Sequence, residues 1–311
     1  MPGSSKYIPG NRRPANARVL LPDLPPALSN RILAAEAAAT EPFRGITTNG
    51  NPIGGLFPLP KVGTTTSAAA KAAYLFLDCL PEYLRTKAQF DLEANEWMMW
   101  SNIHVFLMRH GVLLEELGVT QRQKALSLIR SALSNDGFAL VRNVMRLNET
   151  TREITGRSAE YGEWLYWLSV MGQPSPAEPW GWQLDGHHLN INCFNLAGNI
   201  VMTPTFLGAE PVLADAGSYE GTHVFSGEES AGLALMRSLP SEQQGQAILS
   251  DELPNEVFAG AGRDNMTLGY EGVRYTALSS PEQSLLLDIV TQFAKRLRQP
   301  HRAWKLAEVY A

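Results

Sequence analysis

The stretch WGWQLDGHHLNINCFNLAGNIVMTPTFLGAEP, residues 180–211, decides the fold of this chain. It is rich in aromatic and β-branched residues, which favour β-strands. The connection NLAGN, residues 195–199, has hairpin length, and IVMTPTFLGAEP has the pattern of a strand, a tight turn and a second strand. We therefore predict that residues 182–194 form one strand, which pairs antiparallel with residues 199–207 in a central sheet.

Helical patterns lie on both sides of this β-rich region. Runs with apolar residues at helical spacing precede it in ALSNRILAAEAAAT, TSAAAKAAYLFLDCL, TQRQKALSLIRSAL and GFALVRNVMRL. Further runs follow residue 227 in EESAGLALMRSL, SEQQGQAILS and PEQSLLLDIVTQFAKRLRQ. A capping box formed by Thr120 and Gln123 predicts where the third run begins, and Pro281 marks the start of the last one.

This order of elements predicts the fold class. A helical first half, a central antiparallel sheet that carries GHHLNIN, and helices after residue 227 are typical of an α+β fold. The first residues are rich in proline and small polar side chains, as in an extended surface arm. We predict an N-terminal arm over residues 1–26 and a single α+β domain over residues 27–311. The arm is also where the chain could contact a second copy in a homo-oligomer.

Composition narrows the choice of partners. The formal net charge is −5 and comes without long runs of one sign, which argues against nucleic-acid and membrane partners and favours a small molecule. The chain has no secretory pattern at its N-terminus and no run of about 20 apolar residues. Its two cysteines, Cys79 and Cys193, form no CxxC motif. We expect a cytoplasmic protein with two free thiols.

The paired histidines in GHHLNIN are the main candidate site. On a regular strand, His188, Asn190 and Asn192 share one face, whereas His187 points to the other. Only a bulge at Gly186 would bring both rings together. A row of one imidazole and two amides suits a polar ligand, a metal-bound water or a developing oxyanion. Because such groups are costly to bury alone, we expect either a cleft or a polar network opposite them.

Other polar groups are weaker candidates. Trp180 and Trp182 suit core anchors or pocket walls, and we expect walls. The run SNIHVFLMRHG offers His104, Arg109 and His110, although an apolar segment with one polar edge explains them as well.

A metal site would need further ligands beside His188. The run GTHVFSGEES offers His223, Glu228 and Glu229, although glutamates at a helix N-terminus are also favoured by the helix dipole. Pooled with His188, these residues would complete a site of two histidines and a carboxylate, but no HExxH spacing supports it. No phosphate-binding loop and no G-x-S-x-G motif occurs, so nucleotide binding and an α/β-hydrolase are not expected.

Four motifs together carry a resemblance to a known family. EPFRG, RHGVLLEELGVTQRQKALSLIRSALSNDGF, WGWQLDGHHLNIN and TPTFLGAEP resemble the domain-of-unknown-function family numbered three thousand five hundred, from about residue 40 onward. The resemblance implies positions and no activity. The positions it implies are Arg109, Trp182, His187, His188, Asn192, Glu228 and Glu229.

The chain also departs from the family's pattern. Gln183 stands where relatives often have arginine, and Glu210 where they often have asparagine, so the charge of the pocket differs. Relatives tend to continue past the segment that resembles AWKLAEVYA into a tail with a His-Ile-His element. If that tail supplies site residues in relatives, the resemblance implies for this sequence, which ends at AWKLAEVYA, a reduced site, a different set of ligands, or a partner chain that completes the site.

These observations lead us to expect a metal-assisted hydrolase or lyase that acts on a small polar organic substrate. The expected catalytic residues are His188 as metal ligand or general base, His187 as orienting group or second ligand, Asn192 as orienting group and Arg109 as counter-charge to a substrate anion. The expected substrate contacts are Trp182, Asn190 and Gln183. The expected ligands of a divalent ion, whether zinc, iron or copper, are His188, Glu228 and Glu229.

Two alternatives remain open on the sequence alone. An oxygen-activating iron or copper oxidase or oxygenase would use the same ligand types. A non-catalytic protein that binds a small molecule would need only the tryptophan walls and the row of amides.

Overall fold

A computed structural model of the chain describes residues 25–55, 66–102, 110–253 and 257–310. The helices in these ranges are α1 (Pro26–Ala38), α2 (Ser67–Asp78), α3 (Glu82–Ala88), α4 (Val119–Ala132), α5 (Asn135–Thr155), α6 (Ser226–Ser238), α7 (Ser241–Ala247), α8 (Ser280–Ala294) and α9 (His301–Tyr310). The strands are β1 (Gln89–Phe90), β2 (Val112–Leu113), β3 (Tyr166–Gly172), β4 (Trp180–Gly186), β5 (Leu189–Leu196), β6 (Asn199–Val201) and β7 (Thr205–Leu207). Short 3-10 helices occur at Asn95–Met98, Leu114–Glu116 and Tyr275–Ala277.

Some predictions lie outside the described residues. These are the predictions for His104 and Arg109 and for nearly all of the N-terminal arm, residues 1–26. They stay predictions, as does an oligomer formed through the arm.

The helices follow the predicted runs, with one shifted start. α4 begins at Val119, and the N–H of Gly118 donates to Gln121 Oε1 at 2.9 Å. The capping box predicted at Thr120 and Gln123 is therefore wrong by two residues, because the side chain of Gln121 already accepts the N–H group at the start of the helix. α8 begins as predicted, with Pro281 in its first turn.

The strands form a single mixed sheet. Its order is β1-β3-β4-β5-β6, with β2 also paired to β3 and β7 also paired to β5. All of these pairs are antiparallel except β1 with β3, which is parallel. The α+β fold with its central antiparallel strands is thus confirmed, and the edge strand β1 adds one parallel pair that was not predicted.

The quoted stretch forms two strands rather than one before NLAGN. β4 and β5 pair antiparallel with Gly186 opposite Leu189, so His187 and His188 form the loop of a tight hairpin. The prediction of one strand over residues 182–194 is wrong because such loops are normally signalled by Gly, Asn or Asp. Here the left-handed position, φ 56°, is occupied by His188. The predicted antiparallel pairing with residues 199–207 is confirmed, because β5 pairs with β6 and with β7.

One face of the sheet forms part of the main hydrophobic core. This face packs against α2, α4 and α5 in the main hydrophobic core, to which Trp180, Trp182, Leu184 and Cys193 contribute. Trp182 is fully buried there, so the structure places it in the core rather than at the expected pocket wall.

Cys79 and Cys193 are unpaired, as predicted. No helix in the described part of the chain is long and apolar enough to cross a membrane.

Candidate functional site

The hairpin loop brings the two histidine rings side by side. Their centroids are 4.0 Å apart, with 36° between the ring planes. The prediction that His187 and His188 point to opposite faces is wrong, because strand alternation does not apply to loop residues. Glu210, which follows β7, completes a group in which one potential ligand atom per residue lies within 4.8 Å of the others. We call these three residues the His–His–Glu cluster.

Hydrogen bonds hold the backbone of the loop from several directions. The N–H of His188 donates to Asn102 O at 2.8 Å, and His188 O accepts from the N–H of Gly208 at 2.8 Å. The Tyr166 hydroxyl donates to His187 O at 3.1 Å. A left-handed conformation costs a non-glycine residue about 1–2 kcal/mol. The surrounding structure therefore stabilises His188 in an unfavourable conformation, a feature that is concentrated at functional sites.

A hydrogen bond from α5 determines the tautomer of the neutral His187 ring. This ring is buried, and its Nδ1 lies 2.9 Å from Asn148 Oδ1. The amide of Asn148 is itself oriented, because its Nδ2 donates to Gly162 O at 2.8 Å. Asn148 Oδ1 can only accept, so Nδ1 of His187 carries the hydrogen and Nε2 carries the lone pair. The same arrangement orients histidine ligands in metal sites.

His188 and Glu210 form the more open side of the cluster. His188 Nε2 lies 3.3 Å from Glu210 Oε2, and the Glu210 side chain is 78% exposed. Two ligands of a tetrahedral zinc ion are also separated by about 3.3 Å, given metal–ligand bonds of about 2.0–2.1 Å. Nδ1 of His188 is buried and has no hydrogen-bond partner among the described residues. A contact with so exposed a carboxylate contributes little stability, so stability alone does not account for this arrangement.

Tyr161 lies against the buried histidine. Its ring centroid is 5.0 Å from that of His187, and the side chain is buried. Burial raises the pKa of the Tyr161 phenol, the charges of Glu160 and Glu210 raise it further, and Arg157 lowers it by charge and by a hydrogen bond. The phenol therefore stays protonated at neutral pH and can donate a hydrogen bond.

The amides predicted to line the cleft form a buried chain on the opposite face of the sheet from the main core. His110 Nε2 lies 2.5 Å from Gln183 Oε1, and Gln183 Nε2 donates to Asn192 Oδ1 at 2.6 Å. Asn192 Nδ2 donates to Asn190 Oδ1 at 2.9 Å, and Asn190 Nδ2 donates to Asp185. The amides thus satisfy one another instead of sharing a face with His188. Of the two arrangements expected for these amides, a cleft or a polar network, the structure has the polar network.

The chain of amides ends on a buried carboxyl group. Asp185 Oδ1 also accepts from the N–H of Ser101 at 3.0 Å. Burial raises the pKa of Asp185 well above its usual value, against the lowering effect of the hydrogen bonds from Ser101 and Asn190. The neutral acid is therefore favoured, and the group acts as part of a structural network.

The glutamates predicted as metal ligands lie elsewhere. Glu228 and Glu229 are in the first turn of α6, and Glu228 Oε1 lies 2.5 Å from Nη2 of Arg296, which follows α8. Neither belongs to the His–His–Glu cluster. The carboxylate near the histidines is Glu210, which the sequence indicated only as a departure from the family's pattern. Asn148 and Tyr161 were missed, since no spacing in the sequence connects them to the loop.

Comparison with known proteins gives a family and no activity. A family model described as "Protein of unknown function (DUF3500)" matches residues 62–311, which include the whole His–His–Glu cluster. Searches of the curated proteins and of the solved structures find no match.

Proposed function

Because the chain belongs to the DUF3500 family, whose function is unknown, we propose its function from the site itself: a divalent-metal-dependent enzyme of hydrolase or lyase type that acts on a small polar organic molecule. One observation carries the proposal. His187, His188 and Glu210 each offer a ligand atom within 4.8 Å of the others.

The chemistry of these donors fits a metal ion. Two imidazoles and one carboxylate are a ligand set of catalytic zinc sites, which leave a further position for water or substrate. The hydrogen bond from Asn148 leaves the lone pair of His187 on Nε2, as a ligand requires.

Each side chain has a distinct role in the proposed reaction. A bound divalent ion would polarise a carbonyl group or make a bound water more acidic. His187, His188 and Glu210 would hold it, and Asn148 would keep His187 in the correct tautomer and orientation. Tyr161 would donate a hydrogen bond to the substrate from beside His187. The exposed side of the cluster, at Glu210, would admit the substrate from solvent.

A second candidate is an oxygen-activating iron or copper enzyme. It is favoured by the composition of the cluster, because two histidines and one carboxylate are also the ligand set of non-haem iron oxygenases. Oxygen consumption by the iron-loaded protein, with no turnover in the zinc-loaded protein, would select this candidate. Bound metal without turnover of any substrate would instead favour the non-catalytic binding protein.

The proposal includes the cellular setting. We place the enzyme in the cytoplasm, which is supported by the unpaired cysteines Cys79 and Cys193. The net charge of −5 supports a small-molecule substrate rather than nucleic acid or a membrane surface.

The direct test is metal-dependent turnover. Protein stripped with a chelator is reloaded with zinc, manganese, iron(II) or copper and assayed on small esters, amides and hydroxy acids. We expect turnover only in the metal-loaded protein and its loss in His188→Ala. His223→Ala is the matched control, because His223 is exposed and outside the cluster. Full activity in the metal-free protein, or equal activity in His188→Ala, would refute the proposal.

A further inference from the structure

We propose that the substrate is an anion, a small carboxylate or phosphate, which Arg157 binds by charge and Tyr161 by a hydrogen bond. The inference rests on the proposed function, because the anion would lie beside a metal ion held by the His–His–Glu cluster. It names a substrate class that the ligand set alone leaves open.

Tyr161 is held rigidly in place beside the cluster. Its loop is fastened to α5 through the peptide group between Gly162 and Glu163: Asn148 Nδ2 donates to Gly162 O at 2.8 Å, and the N–H of Glu163 donates to Glu149 Oε2 at 3.1 Å. An ion pair between Arg142 and Glu163 adds a further contact. The phenol is therefore oriented before a ligand binds, which reduces the entropy lost on binding.

Arg157 belongs to the same turn as Tyr161. Its carbonyl accepts the N–H groups of Glu160 at 3.0 Å and Tyr161 at 3.1 Å. Nη1 of its guanidinium group lies 3.5 Å from Glu160 Oε2, and the charge of Arg157 lowers the pKa of the Tyr161 phenol. The contact with Glu160 is long and engages one end of a group that has five N–H donors. Since the Arg157 side chain is 61% exposed, the other donors can reach a ligand.

The balance of charge favours an anion once a divalent ion is bound. The two positive charges of the ion exceed the single negative charge of Glu210, and the charges of Arg157 and Glu160 cancel. The metal-loaded site and its neighbouring turn then carry a net positive charge. A neutral substrate would use the Tyr161 hydroxyl but would give the guanidinium group no role.

Anion binding to the zinc-loaded protein tests the inference. Equilibrium dialysis first measures zinc binding, and calorimetry then measures acetate, inorganic phosphate and neutral acetamide. The variants are Arg157→Gln, Tyr161→Phe and Glu160→Gln. Arg237→Gln is the control, because it removes the same charge from an exposed position on α6, outside the cluster.

We expect Arg157→Gln to bind zinc normally and to bind the preferred anion roughly three- to tenfold more weakly. Tyr161→Phe should also weaken anion binding, Glu160→Gln should strengthen it, and Arg237→Gln should leave it unchanged. Whether acetate or phosphate binds more tightly assigns the anion to a carboxylate or a phosphate. Normal zinc binding with equal anion affinity in Arg157→Gln and wild type would overturn this inference alone. An absence of zinc binding in the wild-type protein would overturn the proposed function, and this inference with it.

Discussion

Nδ1 of His187 lies 2.9 Å from Oδ1 of Asn148, and this hydrogen bond joins the hairpin loop to helix α5. Both side chains are buried. The amide of Asn148 is oriented by Gly162 O, so the bond determines which nitrogen of His187 has the lone pair. The sheet positions the two histidines, whereas the helix determines the chemistry of one of them.

Replacing Asn148 should impair metal binding without removing a ligand. We expect Asn148→Ala to weaken zinc binding by about 10- to 100-fold, because His187 loses its orienting partner. It should also lower the free energy of unfolding by about 1–3 kcal/mol, since the buried N–H of His187 loses its acceptor. Calorimetry and urea unfolding measure the two effects. Zinc affinity in Asn148→Ala equal to that of the wild-type protein would show that the hydrogen bond has no orienting role.

The buried carboxyl group of Asp185 makes stability depend on pH. Its pKa is raised in the folded state, so the folded protein binds the proton more tightly than the unfolded chain does. Stability from this group is therefore complete below the unfolded pKa, about 3.9, and is lost as pH rises toward the folded pKa. The loss is about 1.4 kcal/mol for each pH unit between the two pKa values.

Asp185→Asn should remove this dependence. Its amide oxygen can still accept from Ser101 and Asn190, which now bond to Asp185 Oδ1. Urea unfolding at pH 5 and pH 7.5 should show the variant gaining stability relative to wild type at the higher pH. The same difference between variant and wild type at both pH values would contradict a raised pKa.

Asn192 should matter for stability and not for metal binding. Asn192→Ala leaves Gln183 Nε2 without its shortest hydrogen bond and Asn190 Oδ1 without a donor, inside the protein. We expect a loss of about 1–3 kcal/mol in the free energy of unfolding. Zinc affinity should be unchanged in the folded variant. A large loss of zinc affinity at unchanged stability would return Asn192 to the site, as the sequence had suggested.

The position before the histidine loop tolerates no side chain. A Cβ on Gly186 would lie 2.3 Å from Tyr166 Cδ1 and 2.9 Å from Leu165 O. Gly186→Ala should therefore destabilise the protein by about 1–3 kcal/mol and weaken zinc binding by displacing the loop. Gly245→Ala in α7 is the control, because a Cβ there meets no atom within 4 Å. Thermal melting and zinc titration of both variants test this, and equal behaviour would show that the loop moves freely.

Periodic features of the sequence predicted much of the fold. The helices on both sides of the sheet follow from the spacing of apolar residues, and the pairing of β5 with residues 199–207 follows from the NLAGN connection. These predictions succeeded because they depend on neighbours along the chain. The free thiols of Cys79 and Cys193 were predicted for a different reason, because nothing in the sequence indicates an oxidising compartment.

The site was harder to predict because it depends on tertiary contacts. Nothing near His188 indicates a left-handed loop residue, so a strand was the simpler prediction, and it put the two rings on opposite faces. Glu210 is 22 residues from His188, and Asn148 is 39 residues from His187. Glu210 reaches the loop only because β7 pairs with β5, and Asn148 only because α5 packs under the sheet.

The metal content of the purified, untagged protein tests the central claim most directly. Elemental analysis after loading and dialysis should find about one divalent ion per chain in the wild-type protein. The ion should be lost in Glu210→Gln and His187→Ala. It should be retained in Glu228→Gln, because Glu228 pairs with Arg296 in the wild-type protein and lies outside the cluster. A wild-type protein without stoichiometric metal, or equal metal content in Glu210→Gln and Glu228→Gln, would contradict a metal site at the His–His–Glu cluster.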